Sequence, residues 1–144
     1  MLGVAWIQFM VHDWVVHEND PTESFKVPLA LGDPLRLTSL TDIMSVSKTK
    51  LDETQLGDLL LAKPYRNKVT HWWDASQIYG SDLETANSLR SWTGGKLKVT
   101  EDGLLPLNVE GYDKTGFEEN YWVGLSIMHT LFVLEHNEGI HLLS

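Results

Sequence analysis

Two stretches of this sequence hold residue types that can do chemistry together. The first is Trp6-Ile7-Gln8-Phe9-Met10-Val11-His12-Asp13-Trp14. On a helix Gln8 and His12 lie one turn apart on a shared face, and Asp13 is rotated from His12 by roughly 100°. One helix then offers an imidazole and an amide to one neighbour and a carboxylate to another. A single histidine on a mostly apolar helix is more often a satisfied core residue, so the spacing alone leaves both readings open. The second stretch is Thr70-His71-Trp72-Trp73-Asp74-Ala75-Ser76-Gln77-Ile78-Tyr79-Gly80-Ser81. Thr70, Trp72, Asp74 and Ser76 alternate, and in an extended backbone alternate residues point the same way. Two hydroxyls, a carboxylate and the Trp72 carbonyl are hard oxygen donors of the kind calcium collects in sets of about six to eight, and Asp13 can complete the set. An ordinary polar turn before a capped helix explains the same spacing equally well.

The elements that must position these residues are mostly helical. Val4, Ile7, Val11, Trp14 and Val15 recur at spacings of three and four, which predicts a helix over Leu2–His17 with no polar cap at its start. From Glu18 to Val69 the pattern is weak and broken by Pro21, Pro28, Pro34 and Pro64. Val27–Leu31 reads as a short extended piece, and Thr49–Leu61 as room for a short helix. Ser81-Asp82-Leu83-Glu84 fits a capping box, followed by a helix to about Trp92 that Gly94-Gly95 ends. Lys96–Thr100 and Leu104–Leu107 flank the turn Glu101-Asp102-Gly103 as a small hairpin. Thr115-Gly116-Phe117-Glu118 reads as a second capping box. The last helix is expected from about Asn120 to Leu143, with an apolar stripe of Val123, Ile127, Leu131 and Leu134.

Composition sets outer bounds. The 144 residues are 42% hydrophobic and 22% charged, ordinary values for a chain able to bury a core. A net charge of −9 repels nucleic-acid phosphates and anionic lipid headgroups. The absence of cysteine excludes disulfides, thiolate metal sites and a thiol nucleophile, and favours a reducing, cytoplasmic setting. No apolar run has transmembrane length. Met1–Met10 lacks the basic start of a signal peptide. His12/His17 and His136/His141 are spaced five apart, which is not the i, i+4 zinc spacing. His17 and His141 therefore read as structural or surface residues, His71 as a neighbour of the donor loop, and the Trp72 and Trp73 rings as core.

Taken together, the stretches resemble one family. Gln8-x-x-x-His12-Asp13 is similar to the distal helix of animal-type haem peroxidases, and Thr70-x-Trp72-x-Asp74-x-Ser76-x-x-Tyr79-Gly80-Ser81 to their calcium loop. Met128-His129-Thr130-Leu131-Phe132 with Glu135-His136-Asn137 resembles the helix that follows, in the same order. The wording Trp6 to Trp14 and Trp72-Trp73-Asp74 points to the fatty-acid α-dioxygenase branch. The resemblance implies a mainly α, partial animal-haem-peroxidase-like helical fold with long irregular loops and a small β-hairpin. It implies that residues 1–144 are part of a single haem peroxidase/dioxygenase domain whose proximal half lies beyond the C-terminal end. It implies haem b and calcium as cofactors, with His12 as the distal histidine on the haem side and Gln8 beside it. Asp13, Thr70, Trp72, Asp74 and Ser76 would be the calcium ligands. In that branch peroxide oxidises the haem, a tyrosyl radical forms, and the radical opens the carbon next to a fatty-acid carboxylate to O2. Fatty acid or a small-molecule reductant, peroxide and O2 are the implied partners, and peripheral membrane association of the full-length protein is compatible with the family. No residue here matches the family's proximal histidine or radical tyrosine, and Glu118, Glu119 and Asn120 stand where true peroxidases carry a distal arginine. The competing expectation is a catalytically inactive, calcium-binding fragment of such a protein.

Overall fold

The computed structural model describes residues 1–38, 41–55 and 63–143. The chain forms two compact units, Met1–Val16 with Lys68–Ser144, and His17–Asn67. Helices are the commonest regular elements among the described residues, with α1 (Leu2–Trp14), α2 (Pro34–Thr38), α3 (Ser76–Tyr79), α4 (Leu83–Leu89) and α5 (Val123–Leu143). Two strands, β1 (Asn19–Pro28) and β2 (Ile43–Thr49), pair antiparallel.

In the first unit α1 packs on α5 and on the short α3. α1 ends at Trp14, earlier than its periodicity suggests, because Val15 is extended at φ −148° and ψ 121°. The Val16 carbonyl then accepts from the Lys68 amide at 2.8 Å. The buried face of α1 is Ala5, Phe9, His12 and Asp13. The stripe expected to be its core face points outward, with Val4 63% and Ile7 64% exposed. The same holds on α5, where Leu125, Met128, His129, Val133 and Asn137 are buried while Val123, Ile127, Leu131 and Leu134 are exposed. Both helices are apolar on more than one face, so spacing could not select the buried one. Phe9 anchors the contact, stacked on Phe132 at 5.0 Å and edge-on to His129 at 5.1 Å. Ile78, Leu89, Leu97, Leu105, Leu125, Met128 and Val133 complete this core.

The expected hairpin at Lys96–Leu107 forms only its turn, where the Thr100 amide donates to the Leu104 carbonyl at 2.8 Å and Gly103 takes φ 74°. Its flanks do not pair because α5 claims one of them. Asn137 Oδ1 accepts from the Leu97 amide at 2.8 Å, and Asn137 Nδ2 donates to the Leu97 carbonyl at 3.1 Å. The cap of α4 is Asp82, whose carboxylate accepts from the Thr85 amide at 2.8 Å, one residue after the expected Ser81. α4 stops at Leu89 because Arg90 is extended and bridges to Leu97. Thr115 does not cap α5; its hydroxyl donates to the Phe117 carbonyl at 2.7 Å, and α5 starts at Val123.

The second unit is organised by the hairpin that the sequence expectation reduced to Val27–Leu31. Phe25 faces Val46 and Val27 faces Met44 across the strands, which puts all four on one face of the ribbon. Of the helix expected in Thr49–Leu61, Glu53–Gln55 is a single 3-10 turn, and residues 56–62 lie outside the described residues.

Candidate functional site: the junction of the first helix and the donor loop

His12 and Asp13 are adjacent and both buried, yet they serve different neighbours, as the helical rotation demands. Asp13 turns to the loop before α3. Its Oδ1 accepts from the Ser76 amide at 2.7 Å and from Ser76 Oγ at 3.3 Å. The same Ser76 amide lies 3.2 Å from Asp74 Oδ1. Thr70 Oγ1 donates to both Asp74 oxygens, at 2.7 and 2.9 Å. Asp13, Thr70, Asp74 and Ser76 are thus brought into one network, and two carboxylates converge on a single amide. Neither carboxylate forms an ion pair among the described residues. Trp72 is the member whose contacts lie outside this network; its ring is 65% exposed and packs on His71, and Trp73 is 76% exposed. Both rings were expected in the core, and both are on the surface.

The backbone around this network is tightly constrained. Ala75 caps α3 in the left-handed region at φ 60°. A Cβ on Gly116 would lie 2.3 Å from the Ser76 carbonyl oxygen and 2.5 Å from the Gly80 nitrogen, so only glycine allows that close approach. Gln77, buried beside Ser76, donates from Nε2 to the Phe9 carbonyl at 3.3 Å, which ties α3 to α1 a second time.

His12 faces the other way. Its ring lies 4.6 Å from the Phe117 ring, it is 5% exposed, and its Nδ1 has no hydrogen-bond partner. Burial lowers its pKa, against an opposing push from the Glu119 charge. His129 on α5 is buried as well, with an unpartnered Nδ1, and burial followed by the nearness of His12 lowers its pKa to about 4. Gln8 Oε1 accepts from Trp122 Nε1 at 2.8 Å. Gln8 and His12 therefore meet side chains of the following segment rather than an open cavity. Behind Phe117 lies a cleft of ≈640 Å³ that Glu118, Glu119, Lys68 and Tyr112 help to line, with Lys68 and Glu119 ion-paired across its wall.

The sequence pointed to Gln8, His12, Asp13 and the loop donors, and to His129 only as part of a motif. It named Glu119 only as standing where a distal arginine would be and Phe117 only within a capping box, and it did not connect these or Trp122 to the first helix, which they reach from more than a hundred residues away. The one available signal was the Gly116-Phe117 pair, a glycine where a close approach needs one.

Comparison with known proteins places the whole chain in a family. The family described as animal haem peroxidase matches residues 1–144. Alpha-dioxygenase 1 of Capsicum annuum is 36% identical over 137 residues, which cover 95% of this chain and 20% of that protein. The crystal structure of the fatty acid alpha-dioxygenase of Arabidopsis thaliana has a TM-score of 0.81 at 34% identity, covering 99% of this chain and 22% of that one. A variant of the Oryza sativa fatty acid alpha-dioxygenase, solved with palmitic acid, has a TM-score of 0.80 at 34% identity, covering 99% of this chain and 22% of that one. The chain spans about a fifth of the length of the curated relatives it matches.

Proposed function

The chain belongs to the animal haem peroxidase family, and from that premise we propose that it carries the distal side of a haem-dependent oxidoreductase of the fatty-acid α-dioxygenase type. His12 is the distal histidine, Gln8 its companion, and Asp13, Thr70, Trp72, Asp74 and Ser76 are the calcium ligands. Residues 1–144 are part of a single such domain, with the proximal half outside them. The observation that carries this reading is the divergence of His12 and Asp13, in which Asp13 clamps the helix to Ser76 while its neighbour presents an imidazole elsewhere.

The donor loop fits calcium. Its side-chain oxygens are hard donors of two carboxylates and two hydroxyls, and the convergence of Asp13 and Asp74 on one amide is the feature that supports a bound cation. Among the described residues there is no cluster of three His, Cys, Asp or Glu side chains. The fit to haem rests on His12, whose buried Nδ1 is unsatisfied and whose depressed pKa keeps the ring neutral. No residue here matches the family's iron ligand. When bound, haem supplies oxidising equivalents drawn from peroxide. His12 takes a proton on a ring nitrogen and returns it. Gln8, held by Trp122 through Oε1, keeps its amide N–H groups for water. Asp13 acts through the helix, holding His12 in place as an outer support. A fatty acid oxygenated at the carbon next to its carboxylate is the substrate class that the α-dioxygenase relatives support.

A second reading, a calcium-stabilised unit without turnover, is favoured by one observation, the cover of Phe117 over His12. Haem reconstitution of the protein extended past Ser144 to include the proximal half separates the two; residues 1–144 alone are expected to bind haem weakly and without peroxide reactivity, since iron needs its proximal ligand. The enzymatic reading expects a Soret band that peroxide alters, with the alteration lost in His12→Gln. A folded, calcium-binding protein with no peroxide-sensitive Soret band supports the second.

A further inference from the structure

Tyr79, the last residue of α3, sits apart from the network just described, and its hydroxyl lies 3.0 Å from His136 Nδ1 on α5. The rings meet edge to face at 5.4 Å. On its far side His136 Nε2 lies 3.2 Å from the Gly95 carbonyl, in the turn where Gly95 takes φ 76°. A carbonyl only accepts, so Nε2 carries the ring proton. In the neutral imidazole Nδ1 is then a lone-pair acceptor aimed at the phenol. Among the described residues no other tyrosine hydroxyl hydrogen-bonds an imidazole. Tyr112 and Tyr121 pack on each other at 5.0 Å, and the Tyr65 ring lies 5.8 Å from the His17 ring.

A phenol that loses an electron becomes a strong acid, so its oxidation is easy only where a base can take the proton at once. We propose that Tyr79 is a redox-active tyrosine, with His136 as its proton acceptor and the Gly95 carbonyl as the group that fixes the imidazole tautomer. One electron leaves Tyr79 to a one-electron oxidant. The Oη–H bond breaks and an Nδ1–H bond forms, which leaves a neutral phenoxyl radical beside an imidazolium whose Nε2–H remains on Gly95. Return of one electron, from a small-molecule reductant, sends the proton back to Oη. Before oxidation the proton stays on the phenol, since burial raises the Tyr79 pKa. Tyr79 is 36% exposed, so a soluble reductant reaches it. The natural oxidant would be a peroxide-oxidised haem, and only this clause rests on the proposed function.

Flash photo-oxidation of the chain by a ruthenium(III) polypyridyl complex tests the pair without haem, so its outcome is independent of haem activity. The phenoxyl radical is read by its visible absorption and EPR spectrum, which differ from those of an indolyl radical. The expected result is a phenoxyl signal that forms more slowly in D2O and is largely lost in Tyr79→Phe. In His136→Ala it should form on the order of a hundredfold more slowly, with the rate recovered by added imidazole, which a purely structural role would not allow. A signal spread over the other three tyrosines, an indolyl signal alone, or an unchanged rate in a folded His136→Ala protein would overturn the proposal.

Discussion

Asp13 Oδ1 accepts two hydrogen bonds from Ser76 inside the protein, and this makes the carboxylate useful with or without a cation. Asp13→Ala leaves the Ser76 amide buried with only the longer contact to Asp74, an effect of about 1–3 kcal/mol in calcium-free protein. Asp13→Asn keeps an acceptor and should retain most of the calcium-free stability while losing stabilisation by calcium. Urea denaturation with and without calcium checks both, and equal stabilisation of wild type and Asp13→Asn by calcium would count against the ligand assignment. Beside this clamp, His129 carries a pH dependence of defined sign. Its pKa falls from 6.5 to about 4 on folding because burial disfavours the charged ring, with the nearby His12 adding to the effect. The unfolded chain therefore binds the proton first. The stability held by the neutral ring is intact above pH 6.5, erodes as pH falls below it, and is gone once pH has passed through about 4, a total of roughly 3 kcal/mol. Denaturation midpoints measured across that window should fall with pH, and His129→Phe should flatten the slope. A slope unchanged in that variant would show that other groups set it.

At the scale of elements, the loop is held by an approach of backbones that one methyl group would spoil. Gly116→Ala places a Cβ 2.3 Å from the Ser76 carbonyl. It should cost about 1–3 kcal/mol or more by overpacking, and should weaken calcium binding together with stability. Calorimetry on a folded Gly116→Ala protein with wild-type calcium affinity would contradict the link between that contact and the donor geometry. The two long helices were legible because their apolar periodicity is long, and the opposed directions of His12 and Asp13 followed from rotation alone. The buried faces were not legible, since Val4, Ile7 and Val11 form as good a stripe as Ala5, Phe9 and His12. The hairpin of β1 and β2 was missed because its alternating signals, Phe25-Lys26-Val27 and Met44-Ser45-Val46, are only three residues long. The hairpin expected at Lys96–Leu107 failed for a non-local reason, the side chain of Asn137 forty residues away. Of the network around Asp13, the grouping of Thr70, Asp74 and Ser76 was legible from local alternation, while Trp72 lies outside it. Phe117, Glu119 and Trp122 were not, because only the tertiary fold brings them to α1.

For the molecule as a whole, the first unit presents much apolar surface on its two long helices. Ile7 is 64% exposed and Leu131 55% exposed, and an extended exposed apolar surface marks a place of association. Because neither side chain is buried, Ile7→Lys and Leu131→Lys should change stability by no more than about 0.5 kcal/mol while reducing self-association in sedimentation experiments. A large loss of stability would mean that these side chains are covered in solution. The net charge of −9 and the absence, among the described residues, of a helix long and apolar enough to cross a membrane describe the surface that remains. The central claim is that His12, fixed by the Asp13 clamp, handles the proton in a haem–peroxide reaction. Stopped-flow mixing of peroxide with the calcium-loaded, haem-reconstituted protein extended past Ser144 to include the proximal half, followed at the Soret band, tests it most directly. The account predicts a peroxide-dependent change that His12→Gln slows by roughly 10²–10⁴-fold with calcium binding intact; an equal rate in wild type and His12→Gln would contradict it.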